Sequence, residues 1–169
     1  MRKVVRIEAK FAIKLPESLP SEVASPFVCG GGTLFEPVSD YVKTGTRVAI
    51  ASIGGLGTAG IKFSKSFGGH VTALSRSEEK REKALGAGAD EFFGKTHTYV
   101  SLKIYSSNHK TLNKSFVHIV IVAACLGNAD AMAELTGKFD LIIDTSPQNS
   151  DVASFMGMLK FGGTYCRVG

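Results

Sequence analysis

The sequence predicts a doubly wound α/β domain, in which a parallel sheet of the Rossmann type has helices on both faces. From residue 47 onward, short apolar runs alternate with segments of helical periodicity. The run at 47–51 is almost unbroken in its apolar character, as a strand covered on both faces requires. A glycine cluster follows it at once, within "VAIASIGGLGTAGIKF" at 48–63. With 44% apolar residues, the chain can bury the core of such a domain.

The individual elements follow from periodicity and from the positions of glycine and proline. Helices are predicted to end at Gly68-Gly69 and at Gly86, and Ser77 is a candidate helix cap. Prolines at 16, 20 and 26 indicate turns. The predicted strands are 1–15, 47–51, 70–75, 90–93, 138–146 and 164–169. The predicted helices are 21–24, 26–41, 56–67, 77–85 and the first part of 154–163, which ends in a turn.

The glycine cluster is close to the GxGxxG pattern of dinucleotide-binding turns. The pattern here is Ser52-x-Gly54-x-x-Gly57, with Gly55 added. In such a turn the glycines permit a tight bend, a close approach of the pyrophosphate and close packing of the helix on the strand. The alternative is a purely structural strand-to-helix turn. The predicted cofactor-binding residues of this turn are Ser52, Ile53, Gly54, Gly55, Leu56 and Gly57.

The end of the second strand indicates which dinucleotide is bound. An acidic residue there would bind the ribose 2′-hydroxyl of NAD, whereas positive charge accommodates the 2′-phosphate of NADP. The stretch "HVTALSRSEEKR" has no acid at the strand end and offers two hydroxyls and two cations. NADP is therefore the predicted cofactor, although Glu78 and Glu79 oppose it and the stretch also fits an ordinary solvated helix start. The predicted 2′-phosphate ligands are Ser75, Arg76, Ser77 and Lys80.

Charge and cysteine content limit the other classes of function. The net charge is +5, but the segment 94–127 contains four lysines and no acid, which leaves +1 for the rest of the chain. We therefore expect no nucleic-acid partner. The alternative, a basic nucleic-acid binder, rests on that segment alone, and deleting the segment would test it. The three cysteines are far apart, so a reducing, cytoplasmic setting is expected. The longest apolar run, 119–126, is too short to span a membrane.

The segment 94–127 interrupts the alternation of strands and helices. It starts with Gly-Lys and ends in an apolar run followed by Cys-Leu-Gly. A translated, unspliced intron would have this composition; a true insertion with one extra strand and a basic loop for a partner are the alternatives. A cDNA read across codons 90–130 distinguishes them. The stretch "VHIVIVAAC" within it is a predicted aggregation hazard.

Several ordered motifs resemble the zinc-containing medium-chain alcohol dehydrogenases, in particular the cinnamyl alcohol dehydrogenase type. They are "FAIKLPESLPSEVASPFVCGGGTLFEPV", "VKTGTRVAIASIGGLGTAGIKFSKSFGGHVTALSRSEEKREKALGAGADEFF" and "GKFDLIIDTS". The similarity covers residues from about 5 to 93 and 128–169. Ser52 departs from the family pattern, and so does Thr58, where that branch often has His. The resemblance implies that 1–25 is a remnant of a catalytic domain and hinge, and that 26–169 is the dinucleotide-binding domain.

The resemblance also implies roles for residues outside the glycine turn. Cys29 falls at the position of a catalytic zinc ligand, and Thr33 at that of a threonine near the nicotinamide. Thr145 and Gly169, in two later strands, complete the predicted cofactor-binding set. In the family a further Cys and a His hold the zinc, both ahead of the position of Met1. We do not expect substitutes among the four histidines of this chain, which are His70, His97, His109 and His118.

The resulting functional prediction is the cofactor-binding part of an NADP-dependent alcohol dehydrogenase. In the family, zinc polarises the substrate oxygen while hydride moves between the nicotinamide and a small alcohol or aldehyde. The alternative is a non-catalytic NADP-binding module or an inactive truncated chain. The resemblance implies a homodimer for the family, through a sixth strand. We do not expect that dimer from this chain, because the sequence stops near the end of a fifth strand. No catalytic residue is predicted.

Overall fold

The computed structural model describes residues 4–94, 133–146 and 152–168. Within them, five strands form one sheet in the order β3-β2-β1-β4-β5, and every neighbouring pair is parallel. The predicted doubly wound α/β class, a Rossmann-like fold, is confirmed. The strands are β1 (Arg47–Ala51), β2 (His70–Ser75), β3 (Glu91–Gly94), β4 (Phe139–Asp144) and β5 (Leu159–Arg167). The helices are α1 (Ser21–Ala24), α2 (Gly30–Tyr41), α3 (Gly55–Ser66), α4 (Arg81–Gly86) and α5 (Val152–Met158).

Both faces of the sheet are covered, which explains the apolar strand at the centre. Val48 and Ile50 of β1 face a core that includes Leu34 of α2 and Ile61 of α3. The alternate residues of β1 face a second core on the other side of the sheet. Four of the five β1 residues are buried. A strand with two buried faces needs apolar residues at successive positions, as the sequence predicts.

The strand order places the glycine turn at the point where the sheet changes direction. From the central β1 the chain builds outward to β2 and β3 on one side, and later to β4 and β5 on the other. In open α/β sheets, ligands bind at the carboxyl ends of the strands at such a switch point. The turn after β1 therefore lies where a ligand is expected.

The strand predicted at 1–15 is wrong for the residues that the structure describes. From residue 4 to residue 46 no strand forms, and Ala9–Phe11 is a single 3-10 turn. Its apolar side chains are exposed, Val4 to 83% and Ile13 to 88%. A strand needs a neighbour that accepts and donates its backbone hydrogen bonds, and the described sheet offers this segment none. The domain boundary at residue 26 stays a prediction.

The last strand begins earlier than predicted. β5 starts at Leu159 instead of residue 164, and the predicted turn is an irregularity inside it. Phe139 pairs with Leu159, whereas Leu141 pairs with Thr164, so β5 has extra residues opposite Asp140. Gly162 has a φ of 79°, which a side chain rarely adopts. Gly162 and Gly163 therefore lie in a bulge that the sheet accommodates at its edge.

Asp90 joins α3 to the sheet at the amino ends of the strands. Its carboxylate accepts hydrogen bonds from Lys65 Nζ at 2.8 and 2.9 Å and from the Val71 N–H at 2.7 Å. Partial burial raises the pKa of Asp90, but the bonds from Lys65 and Val71 outweigh it and hold that pKa below its ordinary value. A carboxyl group whose pKa is lower in the folded state than in the unfolded state stabilises the fold at pH values above the unfolded pKa. This contribution is lost as the pH falls through the folded pKa.

We expect Asp90→Asn to lower the free energy of unfolding at pH 7 by about 1–2 kcal/mol, because the Lys65 pair is lost and is only partly shielded from water. The difference from wild type should shrink as the pH falls through about 4, where the unfolded carboxyl titrates. Urea unfolding at pH 7 and pH 3 measures it. Asp40→Asn, at an exposed carboxyl on α2, is the control. An equal deficit at both pH values would contradict the assignment.

Candidate nucleotide-binding site

The register of the sheet brings three predicted site residues together. Ala51, the last residue of β1, lies opposite Leu74 on one side and Asp144 on the other. The next residues along the three strands are Ser52, Ser75 and Thr145, so their backbones end side by side at the carboxyl edge. Sequence spacing alone could not show that Thr145, 93 residues after Ser52, would be its neighbour.

Ser52 occupies the position of the first glycine and adopts a glycine-like backbone. Its φ is 72°, and it is the one non-glycine residue with positive φ in the described part of the chain. An L-residue in this left-handed region costs roughly 1–2 kcal/mol relative to a favoured conformation. The Ser52 N–H donates to the Leu74 carbonyl at 2.9 Å. The tight bend of the motif is thus retained although the glycine is not.

The glycines of the turn divide into one that is packed and two that are open. A Cβ at Gly57 would lie 2.0 Å from the Ser52 carbonyl oxygen, a distance that no side chain tolerates. Glycine at 57 therefore lets α3 begin directly against the end of β1. At Gly54 and Gly55 a Cβ would meet no described atom within 4 Å. The surface there is free for a ligand to approach the backbone.

The first turn of α3 presents backbone N–H groups without a side-chain cap. Gly54 is the N-cap residue and makes no side-chain cap bond. The Thr58 N–H and hydroxyl both donate to the Gly54 carbonyl, at 3.1 and 2.7 Å. The N–H groups of Gly55, Leu56 and Gly57 precede the first intrahelical bond. Such groups, together with the helix dipole, favour an anion. Ile53 is buried in the core, so only its backbone is left for a ligand.

The end of β2 has the composition that the sequence predicted, and Ser77 is the N-cap residue of the 3-10 turn Glu78–Lys80 that follows. Ser77 makes no side-chain cap bond; its N–H instead donates to Ser75 Oγ at 3.1 Å. Arg76 is exposed and makes no ion pair within the described ranges. Glu78 is paired with Arg81 and lies against Gly94 at the end of β3. One of the two carboxylates that would oppose a phosphate here therefore has a cation of its own.

Thr145 contacts the glycine turn directly. Its hydroxyl lies 2.8 Å from the Ser52 carbonyl and 3.0 Å from the Ala51 carbonyl, and its N–H donates to Ala51 at 3.0 Å. The preceding Asp144 is fully buried and accepts from Tyr165 Oη at 2.7 Å and from the Ser146 N–H at 2.9 Å. Asp144 was not predicted as a site residue. The signal in the sequence is a carboxylate that ends the apolar run "LII".

Thr33 and Cys29 lie at the start of α2, near the first turn of α3. The Thr33 hydroxyl and N–H both bind the Cys29 carbonyl, at 2.8 and 3.0 Å. A Cβ at Gly30 would lie 3.2 Å from Leu56. Thr33 and Cys166 both line a cavity of about 630 Å³ between α2 and the end of β5. Burial, and then the negative charge of Glu36, raise the pKa of the Cys166 thiol.

The residues around Cys29 do not supply a zinc site. Cys29 is exposed, and among the described residues no three His, Cys, Asp or Glu side chains are grouped as metal ligands. His70 lies at the amino end of β2, near Glu91, at the opposite edge of the sheet from the glycine turn. A tightly bound zinc needs three or four protein ligands. Gly169, His97, His109, His118 and nearly all of 94–127 lie outside the described residues.

Comparison with known proteins gives a consistent family. No protein-family model matches the chain. A probable formaldehyde dehydrogenase of Bacillus subtilis is 32% identical over 99% of this chain, and an NADP-dependent alcohol dehydrogenase C of Mycolicibacterium smegmatis is 29% identical over 96%. The solved cinnamyl alcohol dehydrogenase of Sorghum bicolor superposes with a TM-score of 0.69 at 28% identity, over 92% of this chain. The chain is a relative of the alcohol dehydrogenases.

The similarity to the alcohol dehydrogenases covers only part of their length. The chain spans 39% and 38% of the two curated relatives and 36% of the Sorghum protein. A Helicobacter pylori structure described as complexed with NADP(H) has a TM-score of 0.67 at 23% identity, over 93% of this chain and 35% of its own, and shows the shared fold. None of the helices in the described ranges is long and apolar enough to cross a membrane.

Proposed function

We propose that this chain binds NADP(H) at the carboxyl edge of its sheet and is the cofactor-binding part of an alcohol dehydrogenase. The observation that carries the proposal is the packed Ser52–Gly57 turn, which directs an uncapped helix start toward an open surface. A turn that served only to change chain direction would not need open glycines at 54 and 55. The relatives, one of which is named NADP-dependent, support the cofactor class.

The pyrophosphate would rest on the backbone of the turn. The N–H groups of Gly55 and Leu56 lack intrahelical partners, and Gly54 has no side chain to hold the phosphate away. Charge-assisted hydrogen bonds from backbone N–H groups to a phosphate are shorter and stronger than neutral ones.

The 2′-phosphate would be bound at the end of β2. Arg76 directly follows the strand and is exposed; Ser77 comes next, and Lys80 ends the 3-10 turn Glu78–Lys80. Arg76 has no carboxylate partner within the described ranges, so binding a phosphate would not cost it an existing ion pair. Its planar guanidinium can donate two parallel hydrogen bonds to one phosphate. NADP should therefore be preferred to NAD.

The alcohol dehydrogenase part of the proposal concerns the protein of which this chain resembles a portion. Bound NADPH supplies a hydride to an aldehyde carbon, and NADP⁺ accepts one from an alcohol. Thr33 and the cavity beside it would face the nicotinamide end. Cys29 would supply one ligand of a zinc set whose other members are not among the described residues, so we assign no step to the metal. The alternative is a module that binds NADP without catalysis.

Fluorescence titration with NADPH and NADH tests the proposal. We expect saturable NADPH binding that is at least about tenfold tighter than NADH binding, the worth of one charged hydrogen bond. ADP-ribose should compete with both, since it contains the pyrophosphate. Equal and weak binding of both dinucleotides would remove the cofactor assignment. NADPH oxidation on addition of zinc and cinnamaldehyde would favour the enzyme over the non-catalytic module, although we expect none from this chain alone.

A further inference from the structure

We propose that Thr145, the residue that follows β4, is a positioning residue. It stabilises the conformation in which the Ser52–Gly57 turn binds the nucleotide. The inference rests on the proposed function, because it concerns how the same turn binds NADP(H). It differs from a direct role in binding: Thr145 acts through the Ser52 backbone instead of touching the nucleotide.

The hydrogen bonds of Thr145 point into the protein. Its hydroxyl lies within bonding distance of two carbonyl oxygens, those of Ala51 and Ser52, and its N–H binds Ala51 as well. A hydroxyl has a single proton to donate, and here both acceptors lie where β1 meets the turn. The side chain is half-buried and lies 3.3 Å from the Cβ position of Gly57. It thus packs under the turn, at the junction of β1 with α3.

The contact with Thr145 matters because Ser52 has an unfavourable backbone conformation. Its φ of 72° is a conformation that serine adopts only when its surroundings impose it. Both polar backbone groups of Ser52 are hydrogen-bonded: its N–H donates to the Leu74 carbonyl, and its carbonyl accepts from the Thr145 hydroxyl. A glycine at this position would adopt the same φ without cost. Where the sequence departs from the glycine pattern, a hydrogen bond from Thr145, the residue after β4, therefore stabilises the backbone conformation that glycine would adopt without strain.

Thr145 is itself fixed by its neighbour in the sequence. The buried Asp144 accepts hydrogen bonds from Tyr165 of β5 and from Ser146, and its carbonyl accepts from Val168. These contacts tie the end of β4 to the end of β5. The position of the Thr145 hydroxyl is therefore set by the sheet rather than by a free loop.

A double-mutant cycle on Ser52 and Thr145, read by NADPH titration, tests the inference. We expect Thr145→Val to weaken NADPH binding about tenfold when residue 52 is Ser, and by less than about twofold in the Ser52→Gly background. Thr145→Ser, which keeps the hydroxyl, should bind within about twofold of wild type. The same coupling should appear in the thermal unfolding midpoints without nucleotide, so it is measurable even if Thr145→Val is poorly stable.

Each outcome of this cycle is decisive. An equal loss from Thr145→Val in both backgrounds would overturn the inference, because it would mean that the hydroxyl contributes directly to the ligand or to general packing. No loss in either background would also overturn it. Absence of NADPH binding by the wild-type chain would instead reject the proposed function, together with this inference. Binding by wild type without coupling rejects the inference alone.

Discussion

Gly57→Ala is expected to abolish dinucleotide binding and to destabilise the fold by about 3 kcal/mol or more. The added Cβ would lie 2.0 Å from the Ser52 carbonyl oxygen, and both atoms are held by backbone geometry, not by flexible side chains. Relief requires α3 to move away from β1 or the turn to change conformation. Either movement displaces the N–H groups of Gly55 and Leu56 that would bind the pyrophosphate.

Urea unfolding and NADPH titration on the same protein measure both consequences of Gly57→Ala. Gly86→Ala is the matched control: it makes the same chemical change at the last residue of α4, where a Cβ meets no described atom. We expect that control to be neutral or slightly stabilising, with normal binding. Gly55→Ala separates the two effects, since it should fold normally yet weaken binding at the open surface. A fully stable Gly57→Ala with wild-type affinity would refute the assigned packing.

Arg76→Asp is expected to reverse the cofactor preference. The substitution replaces an exposed cation by an acid where the adenosine ribose would lie, so it removes a charged hydrogen bond and adds repulsion of the 2′-phosphate. NADPH affinity should fall by roughly 100- to 1,000-fold. NADH affinity should stay within about threefold or rise, because its ribose carries a hydroxyl that a carboxylate can accept.

One control variant and a change of salt concentration make the Arg76 result specific. Lys83→Asp makes the same change of charge on α4, at an exposed residue away from the strand end, and should leave the NADPH to NADH ratio nearly unchanged. Titration at about 50 mM and 500 mM salt adds a second readout, since screening should weaken NADPH binding more than NADH binding. If Arg76→Asp and Lys83→Asp lower NADPH affinity equally, the effect is one of overall charge and Arg76 is not the phosphate ligand.

Apolar patterning was enough to predict most of the sheet. The strand at 47–51 and the helix that follows the glycines are local signals, and the structure places both within a residue or two of prediction. The errors concern pairing, which is not local. Residues 1–15 have strand-like apolar content but no partner strand in the described sheet. The glycines at 162 and 163 predicted a turn, whereas pairing with β4 continues on both sides of them.

The candidate site was predictable where its residues form a contiguous motif and unpredictable where it depends on contact across the sheet. The turn residues from Ser52 to Gly57 and the hydroxyls and cations after β2 follow from spacing in one segment. The bond from Thr145 to the Ser52 carbonyl joins residues that are 93 positions apart. Cys29 was predicted as a zinc ligand from a family resemblance alone. The described residues around it do not complete a metal site. Single-sequence patterns contain no information on such contacts.

The central claim is that backbone N–H groups at the start of α3 hold a dinucleotide pyrophosphate. Amide chemical shifts of ¹⁵N-labelled protein, followed during titration with NADP⁺, measure this most directly. We predict that the largest changes fall at Gly54 to Gly57, with a second group at Arg76 and Ser77, and that NAD⁺ moves the first group but much less of the second. Saturable binding that leaves the amides of Gly55 and Leu56 unchanged would contradict the claim.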